Sequence, residues 1–201
     1  MSFRYEDKFE IKYDSKLGLM NWLVANNFKI LFPKRKINSI YFDNDNFQSY
    51  NDSLEGCVPR KKIRVRSYSN NKNIYLEKKI TAVEGRYKES KKLLDSKKLL
   101  DNYFLDDMYG VCKPRIEVTY IRNYFCIGKI RITYDENIVY KSYYGKKNKN
   151  FIHSLKPIIE FKYDIYEREN KIFNELPFVK TRFSKYSEGI DSLQKYGYLR
   201  I

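Results

Sequence analysis

One histidine, His153, stands in the 201 residues, within a Lys/Asn-rich stretch that reads as a loop. That argues against a histidine metal centre and against a Ser-His-Asp triad. Cys57, Cys112 and Cys126 are odd in number and widely spaced, so neither a disulfide framework nor a zinc site is expected. Such sparse cysteine reads as a cytoplasmic protein with reduced thiols. No apolar run approaches the ~18 residues of a membrane span. The stretch Met1-Ser2-Phe3-Arg4-Tyr5-Glu6 is charged and does not look like a signal peptide. Internal repeats, low-complexity tracts and linkers are also lacking, so residues 1–201 read as a single domain.

What the chain has is positive charge and aromatic rings. Lysine and arginine number 40 against 25 acidic residues, for a net charge of +15. That excess calls for an acidic partner: nucleic acid, membrane headgroups or phosphorylated molecules. Hydrophobic residues make up 42% and aromatic residues 17%, mostly Tyr and Phe, which describes a globular chain. For 24.4 kDa, the unfolded chain exposes roughly 35,000 Å² and a folded one roughly 10,000 Å², enough for a core without staples. Tyr, Phe, Ile and Val favour strands.

Arg60-Lys61-Lys62-Ile63-Arg64-Val65-Arg66 carries the main signal. In a strand, alternate side chains point to opposite faces. Arg60, Lys62, Arg64 and Arg66 then share one face, and Ile63 and Val65 the other. Ile74 to Ile80 pairs with it as a hairpin, with Glu77 and Lys79 on one face. Residues 3–13 place Glu6, Lys8 and Glu10 opposite Phe9 and Ile11. Pro114 to Phe125 carries Tyr120 and Arg122. Lys129 to Asp135 sets Arg131, Thr133 and Asp135 against Ile130, Ile132 and Tyr134. Ile158 to Tyr163 puts Glu160 beside Lys162. Ser39 to Asp43 is a further strand, in which Tyr41 and Asp43 read as structural hydrogen-bonding residues.

Helices are expected after a Ser15 cap to about Asn26, with Leu19, Trp22 and Leu23 inward, and over 89–104. A short helix is expected within 165–176, and another from about Glu188 to a stop at Gly197. Residues 51–59 and 141–150, and the charge runs Lys34 to Lys36 and Lys146 to Lys149, read as solvated loops.

Six strands repeat an apolar outer face and a cationic inner face with interspersed carboxylates. That repetition implies an α+β, mainly β fold: an antiparallel, closed barrel with a charged lumen and flanking helices. Two like charges about 7 Å apart repel by roughly 2 kcal/mol at an effective dielectric near 20. With Arg60 left at the rim near the loop, the eight inner cations Lys8, Lys62, Arg64, Arg66, Lys79, Arg122, Arg131 and Lys162 imply a bound anion, and phosphate suits Arg and Lys. The carboxylates suit a divalent cation that bridges phosphate oxygens.

At this point the chain resembles the VTC (vacuolar transporter chaperone) polyphosphate-polymerase domain of the triphosphate tunnel metalloenzyme, or CYTH-like, superfamily. The matching segments run in the family's order: Arg4-Tyr5-Glu6-Asp7-Lys8-Phe9, Ser39-Ile40-Tyr41-Phe42-Asp43, Lys62-Ile63-Arg64-Val65-Arg66 and Leu76-Glu77-Lys78-Lys79. Tyr120-Ile121-Arg122, Arg131-Ile132-Thr133-Tyr134-Asp135, Ile159-Glu160-Phe161-Lys162 and Ser184-Lys185-Tyr186-Ser187 follow. The resemblance implies a tunnel of about eight strands and transfer of the ATP γ-phosphoryl group onto a growing polyphosphate chain, with Mn²⁺ or Mg²⁺. It implies that Lys8, Arg64, Arg66, Lys79, Arg122, Arg131 and Lys185 hold the triphosphate and the chain. Lys62, Lys88, Lys162 and Ser187 are further candidate phosphate ligands. Glu160 is the leading metal candidate, with Glu6, Glu10 and Glu77 in supporting places. The order Glu6, Lys8, Glu10 departs from the hydrolase-like pattern of alternating glutamates followed by a lysine, and lies nearer the polymerase branch. Regulation or translocation would need another subunit, such as a membrane protein.

Phosphoryl transfer to a phosphate oxygen needs positioning and charge neutralisation but no strong base. Hydrolysis needs a carboxylate free of metal, such as Glu6 or Glu10, to orient water. An inorganic triphosphatase on the same fold is thus an alternative. A non-catalytic binder of polyphosphate or nucleic acid is another. A nucleic-acid surface would place aromatics beside the cations, whereas here they alternate with them as core residues would.

Overall fold

The computed structural model describes residues 5–11, 16–69, 71–94, 103–143, 150–167, 171–173, 176 and 178–201. The chain opens with β1 (Tyr5–Glu10), α1 (Lys16–Ala25) and β2 (Lys29–Asp43). Next come α2 (Gln48–Glu55), β3 (Arg60–Tyr68), β4 (Asn71–Ala82) and β5 (Gly85–Leu93). Strands β6 (Phe104–Asp106), β7 (Gly110–Ile127), β8 (Ile130–Ser142), β9 (Phe151–His153) and β10 (Ile158–Tyr163) follow. Two 3-10 turns, Ile165–Glu167 and Lys171–Phe173, precede α3 (Lys185–Lys195). No helix among the described residues is long and apolar enough to cross a membrane.

The contacts form two compact units. The first holds Met1–Arg35, Tyr120–Ile138 and Ser154–Phe183. In it β1 pairs antiparallel with β10, and β10 with β8. The expected alternation holds on these strands. Glu6, Lys8, Glu160, Lys162 and Arg131 share one face by register. The other face buries Phe9, Ile132, Ile159 and Phe161 against Leu19, Trp22 and Leu23 of α1. Phe161 meets Phe9 at 5.3 Å and Trp22 at 5.8 Å, both edge to face. Burying each such side chain contributes about 1.5–3 kcal/mol. The Ser15 cap lies outside the described residues.

The second unit holds Lys36–Thr119, Val139–His153 and Ser184–Ile201. Here β3 pairs antiparallel with β2 and β4, and β4 with β5. Phe42, Ile63 and Val65 bury one face beneath Tyr109, Cys112, Phe104 and Met108. The helix α3 begins at Lys185, earlier than expected, because Ser184 caps it: its Oγ accepts from Ser187 N at 3.4 Å. Gly197, at φ +70°, ends the turn beyond α3 as expected.

Three expectations fail for identifiable reasons. Residues 51–59 are not all loop, because α2 runs to Glu55. Phe47, at its N-cap, is left-handed and makes no side-chain cap. The distant Asp43 caps α2 instead, accepting from Ser49 N and Tyr50 N at 3.0 Å each. The expected helix over 89–104 is strand to Leu93, since β5 pairs with β4 along its whole length and hairpin pairing overrides local propensity. Its Leu99 and Leu100 lie outside the described residues. Lys34 to Lys36, expected as a loop, belong to β2. Of the short helix within 165–176, the described residues show the two 3-10 turns. The expected loop segment 144–149, including Lys146 to Lys149, lies outside the described residues.

Candidate anion site

The second unit gathers most of the expected cations on one sheet face. Register sets them in rows across β2, β3, β4 and β5. One row runs Lys62, Lys79, Lys88; the next Tyr41, Arg64, Glu77, Ser90; the third Ser39, Arg66, Tyr75, Lys92. Glu77 is 3% exposed and both its oxygens receive cations. Oε2 accepts from Arg64 Nε at 2.8 Å and Nη2 at 2.7 Å, with Arg66 Nη1 at 3.6 Å. Oε1 accepts from Lys88 Nζ at 2.6 Å. Burial alone would raise the Glu77 carboxyl, but Arg64, Arg66 and Lys88 outweigh it and bring its pKa to about 2.

Neighbours hold the arginines from the side. Arg64 Nη1 donates to Tyr41 Oη at 3.1 Å, and Arg66 Nε to Ser39 Oγ at 3.1 Å. Tyr41 stacks on Tyr186 of α3, centroids 5.2 Å apart. Burial would raise the Tyr41 phenol, yet Arg64 and Arg66, with Lys185, leave its pKa below the ordinary value. Lys185 thus acts electrostatically on the same tyrosine. Lys62 Nζ donates to Ser184 Oγ at 2.7 Å, at the start of α3. Ser187 is buried in the first turn. Arg60 turns to the preceding loop and donates to the Gly56 and Cys57 carbonyls. Within this one face the cations outnumber the carboxylate several-fold, which suits a multivalent anion.

The first unit holds a more balanced cluster. Lys8 lies 3.2 Å from Glu6 and donates to the Phe183 carbonyl at 3.0 Å. Lys162 lies 2.7 Å from Glu160 and 4.0 Å from Glu6. Arg122 is gripped by Asp135 through Nε at 2.6 Å and Nη2 at 2.7 Å, with its guanidinium over the Tyr120 ring. Burial would lower the Arg122 pKa, but Asp135 raises it well above the ordinary value, so it stays charged. Arg131 is exposed and in register with Lys162. Glu10 sits apart, paired with Lys156 at 2.8 Å.

The donor set of this cluster fits a hard divalent cation. Glu6 and Glu160 offer carboxylate oxygens on adjacent strands. Thr133, in register with Glu160 and 5% exposed, has a buried Oγ1 without a hydrogen-bond partner. Among the described residues no group of three His, Cys, Asp or Glu side chains is placed to hold a metal by itself. Mg²⁺ is commonly held by one or two carboxylates that share the ion with substrate phosphates.

Of the sequence candidates, Lys62, Arg64, Arg66, Glu77, Lys79, Lys88, Lys185 and Ser187 fall in the second unit. Lys8, Glu6, Glu10, Arg122, Arg131, Glu160 and Lys162 fall in the first. Sequence reasoning passed over Ser39, Ser184 and the bearing of Tyr41 on Arg64. Strand register, which puts Tyr41 opposite Arg64 and Ser39 opposite Arg66, shows two of them, and the contact of Ser184 with Lys62 joins residues 122 apart in sequence.

The family model of the VTC domain matches residues 3–194. The chain belongs to the VTC domain family. Among curated proteins none matches. Among solved structures, one similar to this VTC domain is a proposed adenylate cyclase from Bacillus halodurans, at 16% identity, a TM-score of 0.61 and 98% of each chain covered. A Pyrococcus horikoshii protein, PH1819, is similar at 15% identity and a TM-score of 0.58, over 94% of this chain and 99% of that one. A third is a proposed adenylyl cyclase of Hippeastrum with a dominant triphosphatase activity, at 13% identity and a TM-score of 0.53, over 100% of this chain and 98% of that one. At these identities the likeness shows the fold. It is mainly β and antiparallel, as the alternation led one to expect, and of the tunnel-like CYTH class, as the resemblance implied.

Proposed function

We propose that this VTC domain is a polyphosphate polymerase that transfers the γ-phosphoryl group of ATP to a growing polyphosphate chain. The observation that carries the reading is the row-by-row array of Lys62, Lys79, Lys88, Arg64 and Arg66 around one buried carboxylate. A single domain over 1–201 and a cytoplasmic place of action belong to the same reading.

Each group has a stated role. Arg64 and Arg66, held from the side by Glu77, Tyr41 and Ser39, meet phosphate oxygens with fixed guanidinium planes. Lys62, Lys79 and Lys88 offer point charges along a line, which suits a chain of phosphates. Lys185 adds charge at the first turn of α3. Lys8, Arg122, Arg131 and Lys162 serve the anion in the first unit. Glu160 and Glu6 would hold Mn²⁺ or Mg²⁺. When bound, that ion neutralises charge developing on the phosphoryl oxygens. The attacking phosphate oxygen is already ionised at neutral pH, so the residues orient it and need not deprotonate it.

Hydrolysis of tripolyphosphate is the second reading. It is favoured by the similarity to the Hippeastrum protein, whose dominant activity is a triphosphatase. One assay separates the two: protein, ATP and Mn²⁺ are incubated and both long polyphosphate and free phosphate are followed. Polymer as main product supports the polymerase. Free phosphate alone, from ATP or tripolyphosphate, replaces it with the triphosphatase. Neither product removes both.

A further inference from the structure

Glu77 is the most buried charged side chain of the second-unit face, and it carries the wrong sign for an anion site. On β4 it stands directly across from Arg64 on β3 and is 3% exposed. Its Oε2 collects Arg64 Nε and Nη2 and lies 3.6 Å from Arg66 Nη1, while Oε1 takes Lys88 Nζ at 2.6 Å. Three cations from two strands thus converge on two oxygens. Each arginine has a further anchor on β2, Arg64 on Tyr41 and Arg66 on Ser39. Without the carboxylate these cations would repel one another and turn apart. With it, both guanidinium planes and the ammonium stay at fixed spacing before any ligand arrives, and such ordering need not then be supplied by binding.

We infer that Glu77 is a positioning residue of the anion site: its carboxylate presets the spacing of Arg64, Arg66 and Lys88 to the repeat of a polyphosphate chain. The inference deepens the anion-site reading above and rests on it. It makes a prediction opposite in sign to simple electrostatics. If Glu77 merely contributes a negative charge, removing it makes the face more positive. A highly charged tripolyphosphate then gains more than orthophosphate. If Glu77 sets spacing, its loss harms the ligand that must meet several cations at once, and orthophosphate, which needs one contact, is nearly indifferent.

Binding of tripolyphosphate and orthophosphate is measured by calorimetry at fixed ionic strength, with chelator present so that nothing turns over. For Glu77→Gln the expected result is tripolyphosphate weakened by about tenfold or more, within the usual coupling range of contacting residues. Orthophosphate should change far less. A second comparison, Lys88→Gln against Glu77→Gln/Lys88→Gln, avoids the repulsion among three unmatched cations. The double variant has the same net charge over these positions as the wild type, three cations less one carboxylate against two cations. It should bind tripolyphosphate more weakly than Lys88→Gln alone. Tighter tripolyphosphate binding upon loss of Glu77, in either comparison, overturns the inference. Wild-type protein that binds tripolyphosphate but makes no polymer removes the polymerase reading and leaves this test intact. Wild-type protein that does not bind tripolyphosphate removes both.

Discussion

Tyr186 of α3 donates its phenol hydrogen to Oδ2 of Asp43, the last residue of β2, across 2.6 Å of buried interior. The same carboxylate accepts from the backbone N–H of Asn44, Ser49 and Tyr50. One side chain therefore fixes the start of α2 and the seat of α3 within the second unit. Tyr186 also stacks on Tyr41, so α3 and the Arg64 anchor share a ring pair.

Tyr186→Phe removes that donor and should cost about 1–2 kcal/mol in a urea titration. Asp43→Ala strands the α2 N-terminus as well and should cost about 3 kcal/mol or more. Equal midpoints for Tyr186→Phe and wild type would show that the bond contributes nothing.

Acid should weaken the fold through Glu77. Its carboxyl is depressed to about 2 by Arg64, Arg66 and Lys88 against the opposing effect of burial. A depressed folded-state pKa gives stability that is present above the unfolded value near 4.5 and lost as pH falls towards 2. The contribution is about 3 kcal/mol. Stability measured from pH 6 down to pH 2 should fall less steeply in Glu77→Gln than in wild type; parallel curves would refute the assignment.

Gly189 sits in α3 where a side chain has no room. An added Cβ would lie 2.6 Å from Ile116 Cδ1 and 2.9 Å from Tyr140 Cδ1. Gly189→Ala should therefore destabilise by about 1–3 kcal/mol despite the better helix propensity of alanine. A raised melting temperature would show that Ile116 and Tyr140 yield freely.

In the first unit, Asp135→Asn leaves the largely buried Arg122 guanidinium, 12% exposed, beside a neutral amide. The expected loss is about 3 kcal/mol, because an uncompensated buried charge remains. Adding Arg122→Met should restore part of it. If the double variant is no more stable than Asp135→Asn alone, the two side chains are not energetically coupled.

Much of the architecture was legible because strand alternation is a local property. Ile63 and Val65 opposite Arg64 and Arg66, or Phe9 opposite Lys8, need only the pleat to be assigned. α1 was legible from Leu19, Trp22 and Leu23. Two elements were not. The cap of α2 comes from Asp43, outside the window in which a cap is sought. β5 is almost wholly exposed, so burial imprints no alternation, and pairing with β4 alone makes it a strand.

By itself the sequence determined which residues carry charge and which face the alternating strands, such as β1, β3, β8 and β10, give to the core. Those follow from composition and from the two-residue period of the extended chain. It also determined the family, through motifs in a fixed order. Only the tertiary structure decided who pairs with whom. Register put Arg64 opposite Glu77 and Lys62, Lys79 and Lys88 in one row. The fold around Asp135 turned Arg122 from an isolated cation into half of a buried pair. Cross-strand register depends on turns and packing far away in sequence. Whether a carboxylate in a basic face serves a metal or holds its neighbouring cations therefore cannot be read along one strand.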